Sequence, residues 1–184
     1  MNTLALSGIY ALDSDTNSFK ARAIFRRAQT TMQFKMGLQV AWNLQRFSQK
    51  AALDRVDIFG HSYDEGIIGL AEESGFYLDS KTNVGNGSLV VSSIARAVQD
   101  GSIKFSKDCE ICFWGCNSFD LSIGLYNALK NVGLTLYVIG VKGKLEPIFS
   151  NDGKSELGAT ASEGFYSFRT GAKKRSRHWR DPKF

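Results

Sequence analysis

The chain's 184 residues, 43% hydrophobic and 22% charged, suffice for one domain with a core of its own and lie far from the composition of a disordered polypeptide. Its apolar runs are strand-sized and fall short of the roughly 18 consecutive apolar residues that argue for a bilayer-spanning helix, so no membrane span is expected. The net charge of +5 is unevenly placed: residues 169–184 hold seven Lys or Arg and one acid, whereas residues 1–168 hold 16 bases and 17 acids. A near-neutral body argues against nucleic acid as a partner. The expected organisation is therefore one α/β domain over residues 1–168 and a basic, flexible tail over 169–184, with an acidic protein partner as the functional alternative to a merely solvated end. Two prolines and no repeat at a fixed period leave little room for a Pro-rich linker or a solenoid.

The start, Met1-Asn2-Thr3-Leu4-Ala5-Leu6, is apolar but carries no preceding positive charge, so it reads as a strand over 4–12 and not as a secretory signal. Asp13, Ser14, Asp15, Thr16 and Asn17 form a loop of turn residues. Met32, Met36, Val40, Leu44 and Phe47 recur at helical spacing and predict a helix from about Thr30 to Gln49. Val56-Asp57-Ile58-Phe59, closed by Gly60-His61-Ser62, reads as a buried strand. Residues 66–70 and 75–78 suit a small hairpin. Ser88 is placed to cap a helix carrying Leu89, Val90, Ile94, Ala97 and Val98 inward, with Gly101 as its stop. Ile111-Cys112-Phe113-Trp114 makes the next buried strand, residues 120–131 a helix burying Leu121, Leu125 and Leu129, and residues 134–141 a β-branched strand. This alternation predicts an α/β fold, a mostly parallel sheet with helices on both faces, whose binding crevice lies at the carboxyl ends of the strands.

Cys109, Cys112 and Cys116 lie close together in number and cannot build a disulfide framework, which implies synthesis in a reducing cytoplasm. Cys109 and Cys112 read as inert core thiols, cysteine being among the most often buried residues; residues 109 and 112 point to opposite faces of a strand, so a zinc site would need a distorted strand with His61 as fourth ligand, and neither a metal nor a cofactor is expected. Gly85-Asn86-Gly87-Ser88 lacks the lysine of a phosphate-binding loop. Gly60-His61-Ser62-Tyr63-Asp64 departs at Asp64 from the Gly-x-Ser-x-Gly nucleophile elbow, which weighs against Ser62 as a nucleophile. His61 and Cys116 remain, each at a strand's carboxyl end. A cysteine nucleophile needs a base or cation nearby, because the thiolate is the attacking species. His61 is the one histidine before the tail, since His178 lies in the basic end. Cys116 also precedes a predicted helix whose amides favour a thiolate. Asp64 and Glu65 follow His61 and read as a solvated loop, with orientation of the imidazole by Asp64 as the functional alternative.

The segments Val56-Asp57-Ile58-Phe59-Gly60-His61 and Ile111-Cys112-Phe113-Trp114-Gly115-Cys116 resemble the layout of caspase-like cysteine peptidases: a hydrophobic strand ending in His, then a later one ending in a small residue and Cys. The likeness covers about residues 50–140. It implies a caspase-like three-layer sandwich, a catalytic His61/Cys116 dyad that hydrolyses peptide bonds, oxyanion support from the backbone near Gly60, Gly115 and Cys116, and a protein or peptide as substrate. Two departures stand out: Gly60 precedes the histidine and Ser62 follows it, where these peptidases usually have Gly after His, and of the signature Gln-Ala-Cys-x-Gly this chain keeps only a small residue before Cys116. The alternative is a non-enzymatic relative, such as a bacterial effector exported without a signal peptide, that engages a host or partner protein through the tail or through Phe165, Tyr166 and Phe168.

Overall fold

The structure, a computed structural model, describes residues 1–9, 29–69, 74–149, 156–169 and 172–180. Their elements run in chain order β1 (Thr3–Gly8), β2 (Thr30–Phe34), α1 (Gly37–Ser48), β3 (Leu53–Phe59), β4 (Ser62–Tyr63), β5 (Gly66–Ile67), β6 (Phe76–Tyr77) and β7 (Leu89–Val90). There follow α2 (Val91–Gln99), β8 (Phe105–Trp114), α3 (Phe119–Asn131), β9 (Tyr137–Lys142), β10 (Leu145–Phe149), β11 (Glu156–Phe168) and β12 (Ala172–Arg180). The main sheet has the order β10-β11-β9-β8-β3-β1-β2, with β12 as a further partner of β11. Strands β2, β1, β3, β8 and β9 are mutually parallel, and β11 closes this block antiparallel to β9. A second, four-stranded sheet, β4-β5-β6-β7, is inserted between β3 and α2.

Alternation along the central strands divides the core in two. Leu4, Leu6, Val56, Ile58, Ile111, Phe113 and Val138 face the helices and pack with Val40 and Leu44 of α1, Ile94 of α2, and Leu121, Leu125 and Leu129 of α3. Ala5, Phe59, Cys112, Trp114, Ile139 and Val141 face the other way and pack with Ala159, Ala161 and Phe165 of β11. The sequence predicts helices on both faces; among the described residues all three contribute to the first cluster, and β11 supplies the second. The sheet can do this because it curls, turning the inner face of β11 onto its own centre.

Other expectations shift for identifiable reasons. The helix read from Thr30 onward begins at Gly37, and Thr30–Phe34 is a strand paired with β1. Two β-branched threonines and the fully buried Phe34 favour the sheet edge, while the period-four run of methionines belongs partly to strand and partly to helix. Ser88 does not cap α2: Leu89 and Val90 pair with β6 as β7, and it is the Asp79 carboxylate that accepts the Ser92 N–H in the first turn, at 3.2 Å. Residues 66–67 and 76–77 do pair antiparallel, as the hairpin reading has it. The basic end, read as a solvated tail, carries β12, antiparallel to β11 from Phe168↔Ala172 to Gly158↔Arg180. The loop expected at 13–17 lies outside the described residues.

The second face hides a charged pair. Arg55 and Asp57, on β3, are both buried, and Arg55 Nε lies 2.7 Å from Asp57 Oδ2. Asp57 Oδ1 also accepts from Arg55 Nη2 at 3.0 Å and from the indole Nε1 of Trp114 at 2.7 Å. Burial opposes the charge on Arg55, but Asp57, Cys112 and Glu110 together outweigh it and the guanidinium pKa is raised. Trp114, stacked on Phe59 at 5.9 Å, is thereby fixed at the end of β8. Asp57→Ala should lower the unfolding free energy by about 3–5 kcal/mol, because a buried guanidinium and an indole N–H lose their acceptor together; Asp57→Asn, which keeps a carbonyl acceptor, should cost less. Denaturant midpoints of the two variants check this.

In β6, burial pushes the Tyr77 phenol up to about 12. Its folded value thus exceeds the unfolded value of about 10. The neutral form is the one the fold favours, so its contribution is complete below about pH 10 and is lost as pH rises towards about 12. Tyr77→Phe should flatten that part of the stability profile, measured by denaturant unfolding between pH 9 and 12.

Candidate functional site

β3 and β8 end together. Their last paired residues are Phe59 and Trp114, and just beyond them the Gly60 N–H donates to the Trp114 carbonyl at 3.5 Å. The chain therefore leaves the sheet as two adjacent loops, Gly60-His61-Ser62 and Gly115-Cys116-Asn117. Their closeness explains the small residue before the cysteine. A Cβ on Gly115 would overlap the Ser62 hydroxyl and stand 2.6 Å from the Gly60 carbonyl oxygen. The Ser62 hydroxyl instead donates a short hydrogen bond to the Cys116 carbonyl.

Cys116 is a free, partly exposed thiol. Its sulfur accepts the Leu145 backbone N–H at 3.4 Å. Leu145 arrives there because of a break in a strand. β9 and β10 keep one register against β11, with Lys142↔Gly164 before the break and Leu145↔Ala161 after it. Gly143, at φ +77°, and Lys144 form the jog between them, and Lys144 is held by a Ser162 N–H to its carbonyl at 2.9 Å. The jog also presents the Gly143 carbonyl, which accepts the Asn117 N–H at 2.9 Å. Asn117 sits at φ 53°, a left-handed conformation that asparagine tolerates better than most side chains.

His61 is exposed, while its backbone is fixed by the Ile68 N–H donating to the His61 carbonyl at 2.9 Å. Ser62–Tyr63 and Gly66–Ile67 make a hairpin whose turn is Asp64-Glu65. Glu65 pairs with Lys81 at 2.9 Å. Asp64 is exposed in that turn and makes no hydrogen bond or ion pair among the described residues. The Gly60 N–H, in the stretch of backbone considered for oxyanion support, lies 3.5 Å from the Trp114 carbonyl oxygen.

The other cysteines behave as core residues. Cys109 faces the helices and Cys112 the opposite cluster, and both are buried. Burial, reinforced by the carboxylates of Asp54, Glu110 and Asp57, raises the Cys109 thiol well above its ordinary pKa. No group of His, Cys, Asp or Glu that could hold a metal ion occurs among the described residues. Helix α3 starts at Phe119, and the Ser118 hydroxyl at its cap position accepts from Val141 N–H at 3.1 Å and donates to the Phe113 carbonyl at 3.3 Å. The amide donor at the sulfur is thus a strand residue about thirty positions downstream in the chain. Phe165 and Phe168, considered as a partner surface, are core residues, and Tyr166 packs edge-on against Phe119 at 4.9 Å.

A groove of about 460 Å³ lies between α2 and α3, lined by Leu78, Val91, Ala95, Gly124, Ala128 and Val132 among others. It is mainly apolar, it includes neither His61 nor Cys116, and the Asp79 carboxylate on its rim is engaged by Ser92. The chemistry-bearing residues gather at the strand ends instead. No protein-family model, curated protein or solved structure matches this chain. Under native conditions a thiol reagent should modify one cysteine per chain, Cys116, and all three after unfolding; intact-mass and peptide-mass measurements check both counts.

Proposed function

We propose that this protein is a cysteine hydrolase that cleaves peptide bonds, with Cys116 as nucleophile and His61 as general base. The observation that carries this reading is the pair of adjoining loops at the carboxyl ends of two parallel neighbours: one presents the imidazole, the other a partly exposed thiol that already receives a backbone N–H. The chain order, His after β3 and Cys after β8, agrees with the caspase-like layout, and the caspase-like sandwich is the fold this reading implies. The substrate class is a protein or peptide.

In the first half-reaction His61 takes the Cys116 proton, and the sulfur attacks the substrate carbonyl carbon to give a tetrahedral oxyanion. Backbone N–H groups near Gly60 and Cys116 are the donors for that oxyanion. Collapse breaks the C–N bond as the imidazolium protonates the departing amine. In the second half His61 takes a proton from water, whose oxygen attacks the thioester; the carboxylic acid leaves and the thiol is restored.

The test is cleavage of a diverse peptide library, followed by mass spectrometry, for the parent, Cys116→Ser and His61→Ala. Cysteine replacement should abolish cleavage, and loss of the base should reduce it by about 10²–10⁴-fold. Cleavage that survives Cys116→Ser would overturn the assignment. No cleavage at all, together with thiol labelling indifferent to His61, would point to a binding protein that reuses the fold.

A further inference from the structure

We infer that Ser62 is a positioning residue that holds the His61 loop and the Cys116 loop at their working separation; the inference rests on the dyad reading above. Ser62 follows His61 directly, and its hydroxyl donates to the carbonyl of Cys116 itself. One side chain thus links the residue beside the base to the backbone of the nucleophile. Beyond the last ladder pair, the main-chain bond between the two loops is the 3.5 Å contact from Gly60 to Trp114, at the long limit for such bonds. The Ser62 bond is a second tie between the loops, made by a side chain.

Its effect reaches further than the two loops, because the peptide joining Cys116 to Asn117 is planar. In a trans peptide the carbonyl and the following N–H point in opposite directions. The carbonyl end is held by Ser62, on the β3 side, and the N–H end by the Gly143 carbonyl, on the β9 side, at 2.9 Å. The peptide plane that follows the nucleophile is clamped from both neighbouring strands. Gly115 completes the arrangement, since the space a Cβ would occupy there is where the Ser62 hydroxyl sits. The same bond gives the Ser62 oxygen a task other than nucleophilic attack. The backbone pairing of Ser62 with Ile67 in the β4–β5 hairpin does not use the hydroxyl, so its removal leaves that hairpin's ladder in place.

The experiment is the rate of Cys116 alkylation by iodoacetamide as a function of pH, in the full chain, for the parent, His61→Ala, Ser62→Ala, Ser62→Thr and Ser62→Val, with thermal unfolding recorded alongside. Ser62→Ala should slow labelling near neutral pH by about tenfold, within the roughly 10²-fold that a 1 Å misplacement of reacting groups can cost, and should move the pH–rate curve towards that of His61→Ala. Ser62→Thr should restore the parent curve. Threonine and valine share a shape and differ in the hydroxyl, so their comparison isolates the hydrogen bond even if the alanine variant does not fold. A His61→Ala curve that superimposes on the parent would remove the dyad reading and this inference with it. If His61→Ala shifts the curve while Ser62→Ala and Ser62→Val superimpose on the parent, the dyad stands and the role of Ser62 is overturned. A lowered unfolding temperature with an unchanged curve would make Ser62 merely structural.

Discussion

Everything at the candidate site depends on the parallel pairing of β3 with β8. Parallel strands cannot be joined by a tight turn, so the chain must travel through the small sheet and α2 before β8 can lie beside β3. That long connection puts the carboxyl ends of both strands at the same edge, where the ladder ends at Phe59 and Trp114. Residues distant in sequence are thereby placed on neighbouring loops. The register matters as much as the pairing. A slip of one residue would exchange the two faces of β8 and carry Trp114 away from the Asp57 carboxylate it donates to.

The two faces of the sheet divide the work. The helix-facing side is a conventional apolar interior, in which each fully buried Leu, Ile or Phe is worth about 1.5–3 kcal/mol relative to exposure. The opposite side mixes aromatic packing with the Arg55–Asp57 pair and the Trp114 indole. Such a pair offsets its own desolvation at best, so its contribution is directional: it gives Trp114 one orientation at the point where β8 turns into Gly115 and Cys116. Stability comes mainly from one face, and the aim of the strand end from the other.

How far the sequence is legible follows from the same physics. Ile111–Trp114 stands out because strands buried on both faces read as short continuous apolar runs bounded by breakers, and Val56–Phe59 does so with Asp57 as its one interruption. Helix α3 stands out through the spacing of Leu121, Leu125 and Leu129. Strand β2 merges into a helical pattern because Met32 and Met36 share a period of four across the boundary at Gly37. β11 intersperses its apolar residues with Gly, Ala, Ser and Glu, and β12 is mostly Lys and Arg, so neither shows a clean apolar run. At the site, His61, Cys116 and the small residue Gly115 can be found from their places at strand ends. Leu145 cannot, although Gly143-Lys144 within a β-branched run is a sign of an interrupted strand. Ser62 is visible as a residue of interest, but its bond runs to a backbone carbonyl, and no pattern in a sequence marks that.

The placement of β12 bears on how copies of this chain behave towards one another. Among the described residues β12 has a single strand neighbour, β11, and its other side is an open edge of the kind that templates the addition of foreign strands. Its sequence, Ala-Lys-Lys-Arg-Ser-Arg-His-Trp-Arg, would bring lysines and arginines within about 5 Å of their counterparts if two such edges were joined. Like charges at that spacing oppose sheet extension between molecules. The concentration of charge that first suggests an external partner would therefore also disfavour the joining of two such edges.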